Sequence, residues 1–289
     1  MQPLPVILKP VPDELLSSWL SRHAAFYGLA PLGLLRKLLP DASFQNIRAV
    51  DLRLTETAAE RLSNCLRCSP AEIRRMTHSD LANEAKWLVS QTPIQLCHSC
   101  SSQSRGPHAQ CVCLRHSYRG WRITCPLCGS KLSPPPECDE LRHEGANLSL
   151  PTDAWREACE GERLLDRFLT ADEETAVAAI AACRMLLVPR ACLPNTTERR
   201  RFMPRAIYAL VPWFDDLAKQ CTLNSDRWSG RSIAPLPLRS GLLIGFRRLL
   251  EKPRPRFHIL RSVTLGNYRL RLEILGAKAT PILGPLWYS

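Results

Sequence analysis

The chain of 289 residues lacks the apolar runs that membrane insertion and export require. No stretch reaches about 18 consecutive apolar residues, the length that a helix needs to cross a bilayer. The first five residues, MQPLP, lack the basic start and the apolar core of a signal peptide. We therefore expect no membrane span, no membrane partner and no export.

Several sequence signatures of enzymes are also missing. The G-x-x-x-x-G-K-[ST] motif of a P-loop ATPase is absent, and so is the G-x-S-x-G motif of a serine hydrolase. The H-E dipeptide at residues 143–144 is followed by asparagine at 147, so it is not H-E-x-x-H. Acidic residues such as Asp13 and Asp51 fit capping or solvated positions better than a nuclease or transposase site. The sequence therefore predicts a protein that is not an enzyme.

Cysteine, in contrast, is plentiful, and six metal-ligand residues are regularly spaced. The chain has 13 cysteines, which without an export signal indicates a reducing, cytoplasmic compartment. Three pairs, each with two residues between its members, follow one another: Cys97 and Cys100, Cys113 and His116, and Cys125 and Cys128. Two such pairs supply the four ligands of a closed tetrahedral zinc site. A closed site leaves no position for a substrate, so we predict one or two structural Zn²⁺ ions.

The pairing of these ligands stays open at the level of sequence. In one arrangement a zinc is held by Cys97, Cys100, Cys113 and His116. The other two cysteines would then need partners from the set Cys111, Cys138, His108 and His143. In the second arrangement Cys97 and Cys100 join Cys125 and Cys128 in a simple ribbon. Residues 118–123 alternate like a short strand, which fits a ribbon with one hairpin.

Basic charge is concentrated in the last third of the chain. The net charge of +12 arises there, because residues 1–183 hold 20 basic and 21 acidic residues, whereas residues 184–289 hold 19 and 6. Most of the excess is arginine, whose planar guanidinium suits two-point contacts with phosphate. We predict that this region contacts nucleic acid. The candidate residues are Arg199, Arg200, Arg201, Arg247, Arg248, Arg254 and Arg256.

Helical periodicity and capping residues divide the N-terminal region into several helices. Residues 12–29 have apolar side chains at three- and four-residue steps, which predicts an amphipathic helix with Asp13 and Glu14 near its positive end. Thr55 is placed to cap a further helix, and residues 69–72 form a capping box that opens the next. Two short helices joined so closely predict either a helix-turn-helix or an ordinary helical hairpin.

The whole chain is predicted to be mainly α. Three prolines at 134–136 and the polar run that follows indicate a linker, and another capping box at Thr170 predicts a helix in the last domain. The predicted order is a helical N-terminal domain (1–93), a zinc-binding ribbon (94–133), a linker (134–153) and a basic, mainly helical C-terminal domain (154–289).

Three stretches resemble a known family when they are taken in order. PDELLSSWLSRHAAFYGL resembles the N-terminal signature of TniQ proteins, the targeting subunits of transposons of the TnsD/TniQ type. LRCSPAEIRRMTHSDL resembles the helical segment that follows, and LCHSC…CLRH…CPLCGSKL resembles the zinc region of the family. The likeness covers about residues 1–132.

The resemblance implies a bacterial adaptor for targeted DNA transposition. TniQ-like proteins connect a target-recognition element to an AAA+ regulator (TnsC-like), which recruits the transposase. In CRISPR-associated transposons that element is a guide-RNA effector complex such as Cascade, which TniQ can bind as a homodimer. In the TnsD-like branch the protein itself reads target DNA at an attachment site. The resemblance therefore implies the adaptor role, with stand-alone DNA recognition as its alternative.

Overall fold

The computed structural model describes residues 3–103, 112–135, 150–187, 206–214, 232–234 and 236–251. The described residues fall into two compact units. Unit 1 draws on residues 1–81, 90–119 and 125–133, and unit 2 draws on residues 82–89, 120–124 and 134–289. Each unit is thus assembled from separate stretches of the chain. The predicted domain bounds stay a prediction.

The predicted mainly α class is confirmed. The α-helices of the described residues are α1 (Leu16–Phe26), α2 (Pro31–Leu38), α3 (Val50–Arg53), α4 (Glu56–Leu66), α5 (Pro70–Arg75), α6 (His98–Gln103), α7 (Thr152–Leu169), α8 (Glu173–Leu187) and α9 (Leu236–Leu249). Short 3-10 helices cover Ile47–Ala49, Glu84–Leu88, Arg115–Tyr118 and Ala206–Ala209. No β-strand occurs in this part of the chain. The strand predicted over 118–123 is therefore wrong.

Helix α1 is shorter than predicted because residues 12–15 are used for other contacts. Asp13 has a φ of 59°, which takes the backbone out of the right-handed helical region. The N-cap residue is Leu15, which has no capping side chain. The first amides of the helix are bonded from elsewhere: Leu16 N donates to Met76 O at 2.8 Å, and Ser17 N donates to the Asp51 carboxylate at 2.9 Å. The helix start is therefore buried inside unit 1.

The predicted N-cap residues are confirmed for α4 and α5, and the predicted N-cap residue is wrong for α8. Thr55 accepts a hydrogen bond from Ala58 N, and Ser69 forms the full capping box with Glu72. Arg67 lies between the two helices with a φ of 51° and joins them in the tightly connected pair that the sequence predicts. Thr170, however, ends α7 instead of starting α8. The N–H at residue 175 binds the carboxylate at residue 172, so an aspartate provides the cap.

The core of unit 1 forms around α1, α2, α4 and α5. Trp19 is 1 % exposed and donates from Nε1 to Leu8 O at 2.8 Å. Leucines from α1, α2 and α4 and Ile73 from α5 belong to the same buried cluster. Phe26, at the end of α1, is 55 % exposed and lies outside this core.

Unit 2 is built on the packing of α7 against α9. A Cβ on Gly161 would lie 2.2 Å from Leu243 O, so only glycine permits this approach of the two helices. Phe168 and Phe246 meet edge to face at 5.9 Å between ring centroids.

Two further predictions concern a membrane span and the linker. Within the described residues, no helix is long and apolar enough to cross a membrane. Most of the predicted linker lies outside the described residues.

Candidate metal centre

Two turns of unit 1 bring four cysteines together. Cys97 lies just before α6 and Cys100 lies within it. Cys125 and Cys128 flank a turn that Gly129 ends with a φ of 74°, and Gly129 N donates to Cys125 O at 2.9 Å. A β-bridge between Leu96 and Ser133 joins the residues that flank the two turns. The turns therefore face each other with the four thiols between them.

The spacing of the four sulfurs fits a tetrahedral metal ion. The Sγ atoms all lie within 4.8 Å of one another. Cys97 Sγ is 3.4 Å from Cys128 Sγ, and Cys100 Sγ is 3.7 Å from Cys125 Sγ. A zinc ion with Zn–S bonds of about 2.3 Å would space its four sulfurs about 3.8 Å apart. These cysteines are therefore close enough to hold one metal ion.

The protein surroundings of these thiols differ strongly. Burial raises the pKa of Cys100 and of Cys125. Hydrogen bonds from Ser130 instead lower the pKa of Cys128 to about 6. Four thiolates at this spacing repel one another unless a cation offsets their charge. The apolar core around them is small, with Leu132 as its buried aliphatic residue, so a bound metal would contribute much of the stability of this segment.

Cys113 and His116 lie apart from this cluster, because contacts with the start of α1 hold their segment. His116 is 1 % exposed, and its Nδ1 lies 2.6 Å from Asp13 Oδ2. Cys113 O accepts from Leu15 N at 2.9 Å, and Cys113 N donates to Ser18 Oγ at 3.0 Å. Of the two ligand arrangements that the sequence left open, the structure thus brings together the four cysteines of the simple ribbon.

Asp13 is the acceptor around which the C-x-x-H segment is ordered. Its carboxylate binds His116 Nδ1, His116 N and Arg115 Nε, the last two at 3.1 Å. Although burial acts to raise it, the His116 hydrogen bond and the Arg115 charge hold the pKa of Asp13 at about 2. Sequence reasoning assigned this aspartate to a helix end, and no local pattern distinguishes it from one. Its partners lie about a hundred positions further along the chain.

A buried carboxylate, Glu162, and a partly buried one, Asp166, hold the segment between the second and third ligand pairs. Glu162 accepts from Ile123 N at 2.9 Å and from Thr124 N at 3.2 Å. Asp166 accepts from Trp121 Nε1 at 3.0 Å and pairs with the Arg122 guanidinium. These contacts lie within unit 2. The Glu162 carboxylate thus satisfies the amides of residues 123 and 124 without a neighbouring strand.

The candidate nucleic-acid residues are only partly within the described chain. Arg248 binds both oxygens of Glu157 at 2.7 Å, and Arg247 Nη1 reaches the same carboxylate at 2.9 Å. A phosphate would have to compete with that carboxylate for either guanidinium. The other candidates, Arg199, Arg200, Arg201, Arg254 and Arg256, lie outside the described residues.

Fold and site together define a mainly helical protein with a cluster of four cysteines in its N-terminal half that could hold a metal ion. A protein-family model described as TniQ matches residues 5–133, which include all four cysteines. This part of the chain is therefore a TniQ domain, a domain associated with transposition. No curated protein and no solved structure matches the chain significantly.

Proposed function

We propose that this protein is a non-enzymatic adaptor in targeted DNA transposition. It links a target-recognition complex, a guide-RNA effector such as Cascade, to the AAA+ transposition regulator. The observation that supports this proposal is the TniQ domain over residues 5–133. The metal centre lies within the same residues, so the part of the chain that carries the family likeness also carries the site.

The metal in this proposal is one zinc ion held by Cys97, Cys100, Cys125 and Cys128. Four sulfur ligands in a tetrahedral arrangement favour zinc over magnesium or calcium, which prefer oxygen. With all four positions filled by the protein, the ion has no open site for water or substrate. The proposed role of the zinc is therefore structural, and this supports an adaptor better than a zinc hydrolase.

The adaptor role is tested by binding. The zinc-loaded protein is immobilised and presented separately with an AAA+ transposition regulator and with a guide-RNA effector complex. We expect retention of both, and reduced retention by a Cys97→Ser, Cys125→Ser variant. Cys68→Ser is a matched control, because Cys68 is a free thiol at the α4–α5 turn outside the cluster. Failure of the wild-type protein to retain either partner would reject the adaptor.

The alternative function is recognition of an attachment site by this protein alone. It is favoured by the α4–α5 pair, in which Arg67 at the turn and Arg75 at the end of α5 are exposed. Arg74 is paired with Glu56 in the same pair of helices. A salt titration on specific and random duplexes separates the two functions. Tight, sequence-dependent binding indicates the alternative, and weak binding that salt abolishes on both duplexes indicates the adaptor.

A further inference from the structure

Solvent reaches one thiol of the metal centre more readily than the others. Cys128 is exposed, whereas Cys97 and Cys125 are buried and Cys100 is partly buried. Pro126 and Leu127, in the same turn, are exposed as well. A small oxidant that approaches the cluster therefore meets the Cys128 sulfur first, since oxidation of cysteine follows thiolate character and access.

A cysteine of the opposite turn lies close to Cys128. Cys97 Sγ is 3.4 Å from Cys128 Sγ, and a second contact between the two turns joins Cys100 Sγ and Cys125 Sγ at 3.7 Å. A disulfide bond needs about 2.0 Å between sulfurs. Cys97 is thus already placed to attack a modified Cys128 after a small side-chain movement.

We propose that Cys128 is an oxidation site with Cys97 as its resolving partner, and that peroxide releases the metal by joining these two residues. In the first step the Cys128 thiolate attacks one oxygen of hydrogen peroxide. The O–O bond breaks, and sulfenic acid and hydroxide form. In the second step the Cys97 thiolate attacks the Cys128 sulfur, so the S–S bond forms as the S–O bond breaks and a second hydroxide leaves. The two thiolates lose two electrons, and the peroxide gains them.

The consequence for the centre follows from the ligand count. The disulfide removes two of four thiolates, and Cys100 and Cys125 alone make a two-ligand site that holds zinc far less tightly. The small apolar core around the turns offers little to replace the ion. Oxidation therefore loosens the segment between Leu96 and Ser133, and reduction of the disulfide restores the site.

The test uses the full-length, zinc-loaded protein and hydrogen peroxide in small molar excess. Released zinc is followed with a chromophoric indicator, sulfenic acid is trapped with dimedone, and disulfides are mapped on non-reduced peptides. We expect dimedone to modify Cys128 first. A Cys97–Cys128 disulfide should then form at the rate at which zinc is released, with one disulfide for each zinc ion. Cys128→Ser should slow release about tenfold or more, because the accessible thiolate is gone. Cys68→Ser, the matched control, should leave it unchanged.

Results with the wild-type protein decide the proposal even if Cys128→Ser does not bind zinc. A first linkage within one turn, between Cys97 and Cys100 or between Cys125 and Cys128, would overturn it. So would zinc release without any Cys128 adduct. The measurement of released zinc requires that the protein holds the proposed structural zinc. Mapping of the disulfide on the metal-free protein does not require it. A wrong metal assignment and a wrong oxidation assignment therefore give different results.

Discussion

Replacing Asp13 by asparagine tests how the C-x-x-H segment is held. The change keeps the shape of the side chain, and asparagine tolerates the left-handed φ of 59°. It removes the charge that Arg115 and His116 face. Because the pKa of Asp13 lies at about 2 instead of its ordinary 3.8, the charged carboxylate contributes about 2 kcal/mol to the free energy of unfolding at neutral pH.

The pH dependence gives this prediction its sign. A carboxyl whose pKa is lowered in the folded protein contributes its full stability above pH 3.8, and the contribution disappears as the pH falls towards 2. Urea unfolding of wild type and Asp13→Asn at pH 7 should therefore differ by about 2 kcal/mol. The difference should shrink steadily below pH 4.

The matched control for Asp13 is Asp41→Asn. The Asp41 side chain is 73 % exposed and pairs with Arg61 on the surface, so its removal should cost at most about 1 kcal/mol. A difference for Asp13→Asn that is the same at pH 7 and pH 3, or that does not exceed the control, would refute the reasoning. In that case the three contacts of the carboxylate would not stabilise the segment.

Three further predictions concern the helical packing and buried acids. Burial raises the pKa of Asp51 to about 7, so the free energy of unfolding should fall as the pH rises from 3.8 through 7. In urea unfolding, Asp51→Asn should remove this fall in stability. Gly161→Ala forces a Cβ against the backbone of α9 and should lower the free energy of unfolding by about 3 kcal/mol in thermal unfolding. The control is Gly33→Ala, whose Cβ meets nothing closer than 3.9 Å and which should be neutral or stabilising. Glu162→Ala leaves buried amides without an acceptor and should cost about 3 kcal/mol, against at most about 1 kcal/mol for the more exposed Glu160→Ala.

Local signals in the sequence were sufficient for much of the helical fold. Thr55 and Ser69 cap the helices they were predicted to cap, since a cap depends on residues only three positions apart. The same logic fails at Thr170, where two capping residues stand close together and the backbone uses the second one. Helix α1 was predicted too long because its periodicity continues into residues that bind elsewhere.

The ligands of the candidate site could be predicted only in part, because the contact that decides the role of His116 is also distant in sequence. A C-x-x-H pair has the same spacing whether its imidazole binds a metal or a carboxylate, so His116 could not be told from a ligand. What separates the two cases is Asp13, which is distant in sequence and reaches His116 only after folding. The four cysteines of the cluster need no partner that is distant in sequence to orient them. The two short turns that carry them are sufficient to place the thiols of Cys97, Cys100, Cys125 and Cys128.

The most direct test is the zinc content of three purified proteins, measured by mass spectrometry of the metal. The wild type should contain zinc, Cys125→Ser should lose one equivalent of it, and Cys113→Ser should keep the wild-type amount. Circular dichroism checks that each variant is folded. Loss of zinc from Cys113→Ser, or its full retention in Cys125→Ser, would contradict a metal centre made of Cys97, Cys100, Cys125 and Cys128.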